Sequence, residues 1–344
     1  MGYGYVPITV TNSESSATST NFQQLVTVDL SYYSSFLNAD LSNTFFSSDS
    51  AGSTVLNSWL ESGNTYPFSS VNFWVVLSDG IAANSSTTIY LQVDLSNANH
   101  FNTTTTGESP LLSTSYGEYD NGADVFSSYQ AWGGLTAIPT GWSVYNPTNI
   151  FGSGVEATYI LNSTNIEITY SNSNGFLLLA KSYSTTIPYI IESLVSGTDT
   201  TNTNFYIGSF TENSAAAGVG TTAGFQDENN GAGLHYSIMI GSTRNNNTNT
   251  MDSISQTIIN VESISFSSTS LYSNYNTLQT SASTTTSDQN TIGIAYDSGD
   301  GGNSFSVYWL RVRAYPPNGV MPSISTSNPV NFPYINTSTN GDLF

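Results

Sequence analysis

Glu118-Tyr119-Asp120 sets two carboxylates two residues apart, a spacing that on a strand projects both to one face. Two acids flanking a glycosidic bond are what glycan hydrolysis requires. Some glycan hydrolases carry Glu-x-Asp-x-x-Glu on one strand, and here the third position is Ala123. The same residues suit a turn at a domain junction, and the chain reads as non-enzymatic. Asp297-Ser298-Gly299-Asp300-Gly301-Gly302-Asn303 offers Asp297, Asp300 and Asn303 as oxygen donors, with glycines that allow sharp turns. Calcium takes such ligands. The plainer reading is a glycine-rich hairpin between two strands, 291–296 and 304–314. Asp227-Glu228-Asn229-Asn230-Gly231 is a second acidic segment open to the same two readings, with Asp227 a further candidate metal ligand.

Sugar rings stack their apolar faces on aromatic side chains while amides and carboxylates bind their hydroxyls. The chain holds 22 Tyr, 17 Phe and 5 Trp. Trp132, Trp142 and Tyr145 stand among Gly and Asn, and with Asn229 they are the candidate glycan-binding residues; the alternative for the tryptophans is core. Trp59, Trp74 and Trp309 sit in strand patterns and are expected to be buried. Arg311 and Arg313, two apart on one strand, are expected on one face, paired with carboxylates across the sheet or at the junction. A clamp for a ligand carboxylate is the other use of such a pair.

Composition removes several chemistries. Lys and Arg number 4 against 24 Asp and Glu, a formal charge of -20. Nucleic-acid binding needs clustered cations and is excluded. There is no Cys, and His100 and His235 are the two histidines, so thiolate sites, disulfides and multi-histidine metal sites are out of reach. No apolar run is long enough for a membrane-spanning helix, and no membrane insertion is expected. Met1-Gly2-Tyr3-Gly4 opens straight into strand-like sequence without a leader. That start fits cytoplasmic synthesis, a trimmed export product, or a component packaged without a signal. Ser, Thr and Asn side chains do not titrate, so a surface made of them stays hydrated in acid, which favours an exposed destination. Asn84, Asn102, Asn162, Asn246 and Asn336 each open an Asn-X-Ser/Thr sequon. Chance produces sequons in such a composition; a glycosylating compartment would make them surface loop positions.

The elements that must position these residues are strands. Val6–Val10, Leu25–Leu30, Val71–Leu77 and Thr87–Val93 are short β-rich runs bounded by Ser, Asn, Gly and Asp. Ile166–Tyr170 alternates apolar and polar, and further strand-like runs follow to Ala314. No convincing amphipathic helix exceeds two turns. The spacing predicts an all-β chain of two tandem sandwiches: residues 1–115, then 116–322, then an extended tail or linker over 323–344. The Thr-rich stretch His100–Pro110 reads as a linker or long loop.

Tyr5–Val10, Gln24–Leu30, Phe45-Phe46, Leu56–Glu61 with Trp59, Val71–Leu77 and Ser86–Leu91 occur in an order that resembles a β-sandwich family of unknown function found in archaeal and bacterial surface proteins. Gln92-Val93-Asp94 replaces its usual tyrosine-glycine ending. Tyr119–Phe126, Pro139-Thr140-Gly141-Trp142 and Trp309–Gly319 resemble the ends of the concanavalin A-like lectin/glucanase jelly roll that often follows it. The segment 127–132 departs from that pattern. The resemblance spans about residues 5 to 325 and implies a surface context, most naturally archaeal.

Together these readings point to an adhesion or host-attachment protein, extracellular, on a cell surface or on a virion. Its expected partners are cell-surface glycans or glycoproteins, and other structural subunits in an oligomeric assembly. Calcium is the one cofactor the sequence offers a place for. The alternatives are a structural subunit of a surface layer, filament or virus particle, or a glycan-cleaving enzyme. If the tail continues into more chain, the sequence is part of a longer fibre protein.

Overall fold

A computed structural model describes residues 2–145, 158–169, 175–183, 188–198, 203–210, 222–229, 234–241, 243–251, 253–265, 268–273, 291–298 and 304–333. For 145, 175–176, 198, 203–206, 210, 222–257, 259–273 and 296–298, where described, the backbone alone is placed. The chain is all-β and divides into two compact units, Met1–Val125 with Pro316–Phe344, and Phe126–Tyr315.

The first unit begins with β1 (Tyr3–Asn12), β2 (Phe22–Val28), β3 (Thr44–Ser47), β4 (Val55–Leu56), β5 (Ser58–Ser62), β6 (Val71–Leu77), β7 (Ser85–Asp94) and β8 (Thr106–Glu108). Strict alternation along β1 buries Val6, Ile8 and Val10, as a strand with one face on a core must. These residues meet Val26, Phe73, Val75, Ile89 and Leu91 between the two sheets. One sheet has the order β2-β6-β5-β8, with β8 running parallel to β5. The stretch read as a linker thus holds a buried strand, because Thr106, Gly107 and Glu108 pair with Ser58, Trp59 and Leu60. Gly107 is required there: a Cβ would fall 2.2 Å from the Tyr119 carbonyl oxygen and 2.3 Å from Asn121 Oδ1.

The second unit begins with β9 (Ser128–Ala131), β10 (Trp142–Tyr145), β11 (Thr158–Leu161), β12 (Ile166–Thr169), β13 (Gly175–Ser182) and β14 (Tyr189–Thr198). It continues through β15 (Thr203–Phe210), β16 (Thr222–Asn229), β17 (Leu234–Gly241), β18 (Thr243–Met251), β19 (Ser253–Ser265), β20 (Ser268–Ser273), β21 (Thr291–Ser298) and β22 (Ser304–Ala314). One sheet runs β10-β13-β21-β15-β16-β17-β18, and the other β11-β12-β22-β14-β19-β20 with β9 also on β22. Ile166, Leu177, Ile191, Ile207, Ile294 and Val312 form the core of this sandwich. Leu310 pairs with Gln130 and Val312 with Ser128, so the two ends of the unit lie side by side, as a jelly roll requires.

Two expectations change. The boundary falls at Val125, not 115, because the turn after β8 stays with the first unit: Asn121 Nδ2 donates to the Ser58 carbonyl at 3.1 Å. The tail expected over 323–344 is extended, but as β23 (Ser323–Thr326), which pairs with β1 on the first unit. Tyr5 and Val330 exchange backbone hydrogen bonds of 3.0 and 2.9 Å, and Gln24 Nε2 donates to the Pro322 carbonyl at 3.0 Å. The second unit is therefore an insertion in the chain of the first.

Candidate functional site

The two tryptophans of the candidate glycan platform are packed inside the second unit. Trp132 and Trp142 are both buried, with ring centroids 4.7 Å apart at 71°, and both belong to the core of the second unit. Their ring faces meet protein, so they offer no stacking surface. Trp142 pairs with Lys181, whose other neighbour is Ile292, while Asp297 lies five residues further along β21. At about 3.4 Å per residue, the tryptophans and the acidic segments are roughly 17 Å apart along the sheet. Trp59, Trp74 and Trp309 are buried, as their strand patterns imply. The side chains of Tyr145 and Asn229 lie outside the described residues, although both positions are on strands.

The two acidic segments do converge. Asp297 is directly opposite Asn204, and Asn204 is directly opposite Glu228, across three neighbouring strands. Asp227 is opposite Phe205. The hairpin expected between the strands of 291–296 and 304–314 is not one, because β21 and β22 belong to different sheets. Asp300 and Asn303 lie outside the described residues, as does the Asp297 side chain. Among the described residues no group of three or more His, Asp or Glu is placed to hold a metal ion.

Glu118 and Asp120 sit in a turn rather than on a strand. Asp120 Oδ1 accepts from Trp59 Nε1 at 3.0 Å and from the Gly122 amide at 3.1 Å. This is the junction-turn reading of these acids. Arg311 and Arg313 meet Glu192 across the sheet, with Nε distances of 2.6 and 2.8 Å. That pairing, all of it buried, takes the place of a ligand clamp. Burial alone would raise the Glu192 carboxyl; the two guanidiniums outweigh it and hold it below the ordinary carboxylate range.

The sequons differ in what surrounds them. Asn84 is exposed at a turn with φ 51°. Asn102 folds its amide inward, donating to the His100 carbonyl at 2.9 Å and to Thr105 Oγ1 at 3.1 Å. Asn162 donates to Asn165 Oδ1 at 2.9 Å. The Asn246 side chain and Asn336 lie outside the described residues.

Two features of the first unit escaped the sequence reading. Glu108 is buried on β8, accepts from the Ser113 hydroxyl through Oε1, and leaves Oε2 without a hydrogen-bond partner. Burial pushes its carboxyl up to about 7, with Asp40, Glu118 and Asp120 adding to the rise. The other is a pair of exposed tyrosines. A 3-10 turn, Ser31–Phe36, follows β2, and the loop 63–70 precedes β6. Val28 pairs with Val71, and beyond that pair the Leu30 amide donates to the Phe68 carbonyl at 2.9 Å. Both loops therefore sit at one end of the sheet and are tied together. Leu30 and Phe68 are buried beneath them, while Tyr32 is 77% and Tyr66 74% exposed. Tyr32 after Ser31 and Tyr66 before Pro67, in segments bounding two strands, were the available signal.

No family model matches the chain. Uncharacterized protein 562 of Sulfolobus islandicus rod-shaped virus 1 is 31% identical over 343 residues, covering 92% of this chain. The chain spans 58% of that protein's length. Among solved structures, the carbohydrate recognition domain of Emp47p aligns with 54% of this chain and 93% of its own, at 12% identity and a TM-score of 0.40. A glycosyl hydrolase family protein from Mycobacterium fortuitum covers 54% of this chain and 99% of its own, at 12% identity and a TM-score of 0.40. The VIP36 exoplasmic/lumenal domain in a Ca2+/Man3GlcNAc-bound form covers 55% and 94%, at 10% identity and a TM-score of 0.37. Scores of this size leave the fold to be read from the strands themselves.

Proposed function

We propose that this chain is a non-enzymatic host-attachment protein displayed outside the cell, on a virus particle, where it binds cell-surface glycans. The observation that carries the reading is its 31% identity, over 92% of its length, to a protein of a rod-shaped virus of Sulfolobus islandicus. The chemistry of the chain supports it. A -20 chain with four Lys and Arg does not hold nucleic acid, so a role in packaging the genome is disfavoured. Two sandwiches, each with its own core, present loops that vary without disturbing packing, which is where recognition residues collect.

Calcium belongs to the same proposal. The register sets Asp297, Asn204 and Glu228 at directly opposed positions of three strands, and these residue types carry the oxygen donors calcium takes. Binding of the purified full chain to host cells tests the function, with and without calcium. Saturable binding that glycan removal from the cells abolishes is the expected result. Binding that persists after glycan removal, or none at all, overturns it.

A further inference from the structure

The geometry points to the end of the first sandwich that carries Tyr32 and Tyr66 as a binding site for neutral glycans. This inference rests on the proposed attachment function and names where that contact is made and with what.

Three observations carry it. The first is presentation. Tyr32 and Tyr66 expose about three quarters of their surface, far more than tyrosines in a packed sandwich, and they do so on two loops joined by the Leu30–Phe68 hydrogen bond. The second is rigidity. Gly63 closes the neck of its loop: a Cβ at its φ of 90° would fall 2.1 Å from the Ser70 carbonyl oxygen. Phe68 is buried with φ at 63°, a left-handed conformation unusual for a bulky residue, and its ring lies 6.0 Å from that of Tyr66 at 77°. On the other loop Tyr33 stacks on Phe332 at 4.9 Å. Rings held out by anchored loops lose little freedom on binding, and tyrosine has few torsions to freeze.

The third observation is charge. The first unit contains no Lys or Arg and twelve Asp and Glu. A phosphorylated, sulfated or uronic polymer would meet repulsion and no cation. On the same two segments of chain, Ser35, Thr65, Ser69 and Ser70 are exposed hydroxyls, and Asp29, just ahead of the 3-10 turn, is an exposed carboxylate that accepts the Ser31 amide at 2.9 Å. Aromatic faces beside uncharged hydroxyls, with a single acceptor carboxylate, suit a neutral, hydroxyl-rich ring. Two rings on two short loops are also too small an area for a stable protein interface, which needs roughly 800 Å² from each partner.

The test uses the full chain on an array of mannose-, glucose- and galactose-terminated oligosaccharides beside sialylated and sulfated ones. Host-cell binding is measured in parallel. Wild type is expected on neutral glycans and not on anionic ones. Tyr32→Ser with Tyr66→Ser is expected to weaken binding at least tenfold with the melting temperature unchanged. Tyr32→Phe with Tyr66→Phe keeps the stacking faces and is expected to stay within about threefold of wild type. Cell binding that the serine variant retains in full overturns the site while leaving attachment standing. A preference for anionic glycans overturns the ligand class. Failure of wild type to bind cells or glycans removes both the site and the attachment function.

Discussion

Arg311 Nε stands 2.6 Å from Glu192 Oε2, and Arg313 reaches Oε1 of the same carboxylate at 2.8 Å. One buried acid on β14 is thus shared by two guanidiniums two residues apart on β22. The Arg311 guanidinium also lies 4.6 Å from the ring centres of Phe126 and of Trp309. Phe126 opens the second unit and Arg311 lies near its close, so this cluster fastens the two ends of the insertion together. Cation–π contacts and charge-assisted hydrogen bonds are both strengthened by the absence of water.

Glu192→Leu would leave two buried cations facing an apolar side chain. Breaking a buried ion pair from one side costs about 3 to 5 kcal/mol. Denaturant unfolding of the full chain is expected to show that loss in the transition of the second unit, with the first unit's transition in place.

Two carboxylates give opposite pH dependences. The folded value of Glu192 is depressed, so its stabilising contribution is present at neutral pH and is lost as pH falls through that depressed value. Glu108 moves from 4.5 to about 7, so its folded state holds a proton that the unfolded state releases. Its contribution is full below 4.5 and disappears as pH rises to about 7. The first unit is therefore expected to melt at a higher temperature at pH 4.5 than at pH 8. Glu108→Gln keeps a neutral side chain against Ser113 and should flatten that slope, as melting curves across the range will show.

The segment after Tyr315 is expected to be part of the first unit's stability. A chain ending at Tyr315 loses β23, the Tyr5–Val330 bridge and the Gln24–Pro322 bond. Hydrogen exchange should then show faster exchange along β1, while β14 and β22 remain protected. Equal protection of β1 in both chains would contradict the pairing.

Trp132→Ala separates core from contact surface. Removing a fully buried Trp costs about 3 to 5 kcal/mol. The variant is expected to lower the second unit's stability by that amount while host-cell binding at a temperature where it stays folded is unchanged. A loss of binding without a loss of stability would restore Trp132 as a ligand contact.

The alternation of Val6, Ile8 and Val10, the burial of Trp59, Trp74 and Trp309, and the pairing of Arg311 and Arg313 with a carboxylate were legible in the chain, because each depends on a period of two and on local charge scarcity. The strand around Ser128 meets the strand around Leu310, a pairing of the unit's two ends that a jelly roll makes. Burial of Trp132 and Trp142 was not legible: both stand in Gly- and Asn-rich sequence, and only packing between two sheets puts each ring against the other. Glu108 lay in what read as a linker, because a three-residue strand has too little pattern to announce itself. Convergence of Asp297 with Glu228 through Asn204 required the register of three strands, of which β21 is distant in sequence from the other two. The return of residues 323–326 to β1 is likewise a pairing between chain ends, which no local propensity encodes. Short-range periodicity decides which residues face inward; which strands share a sheet, and so which loops share an end with Tyr32 and Tyr66, is decided by long-range pairing that only the folded chain makes.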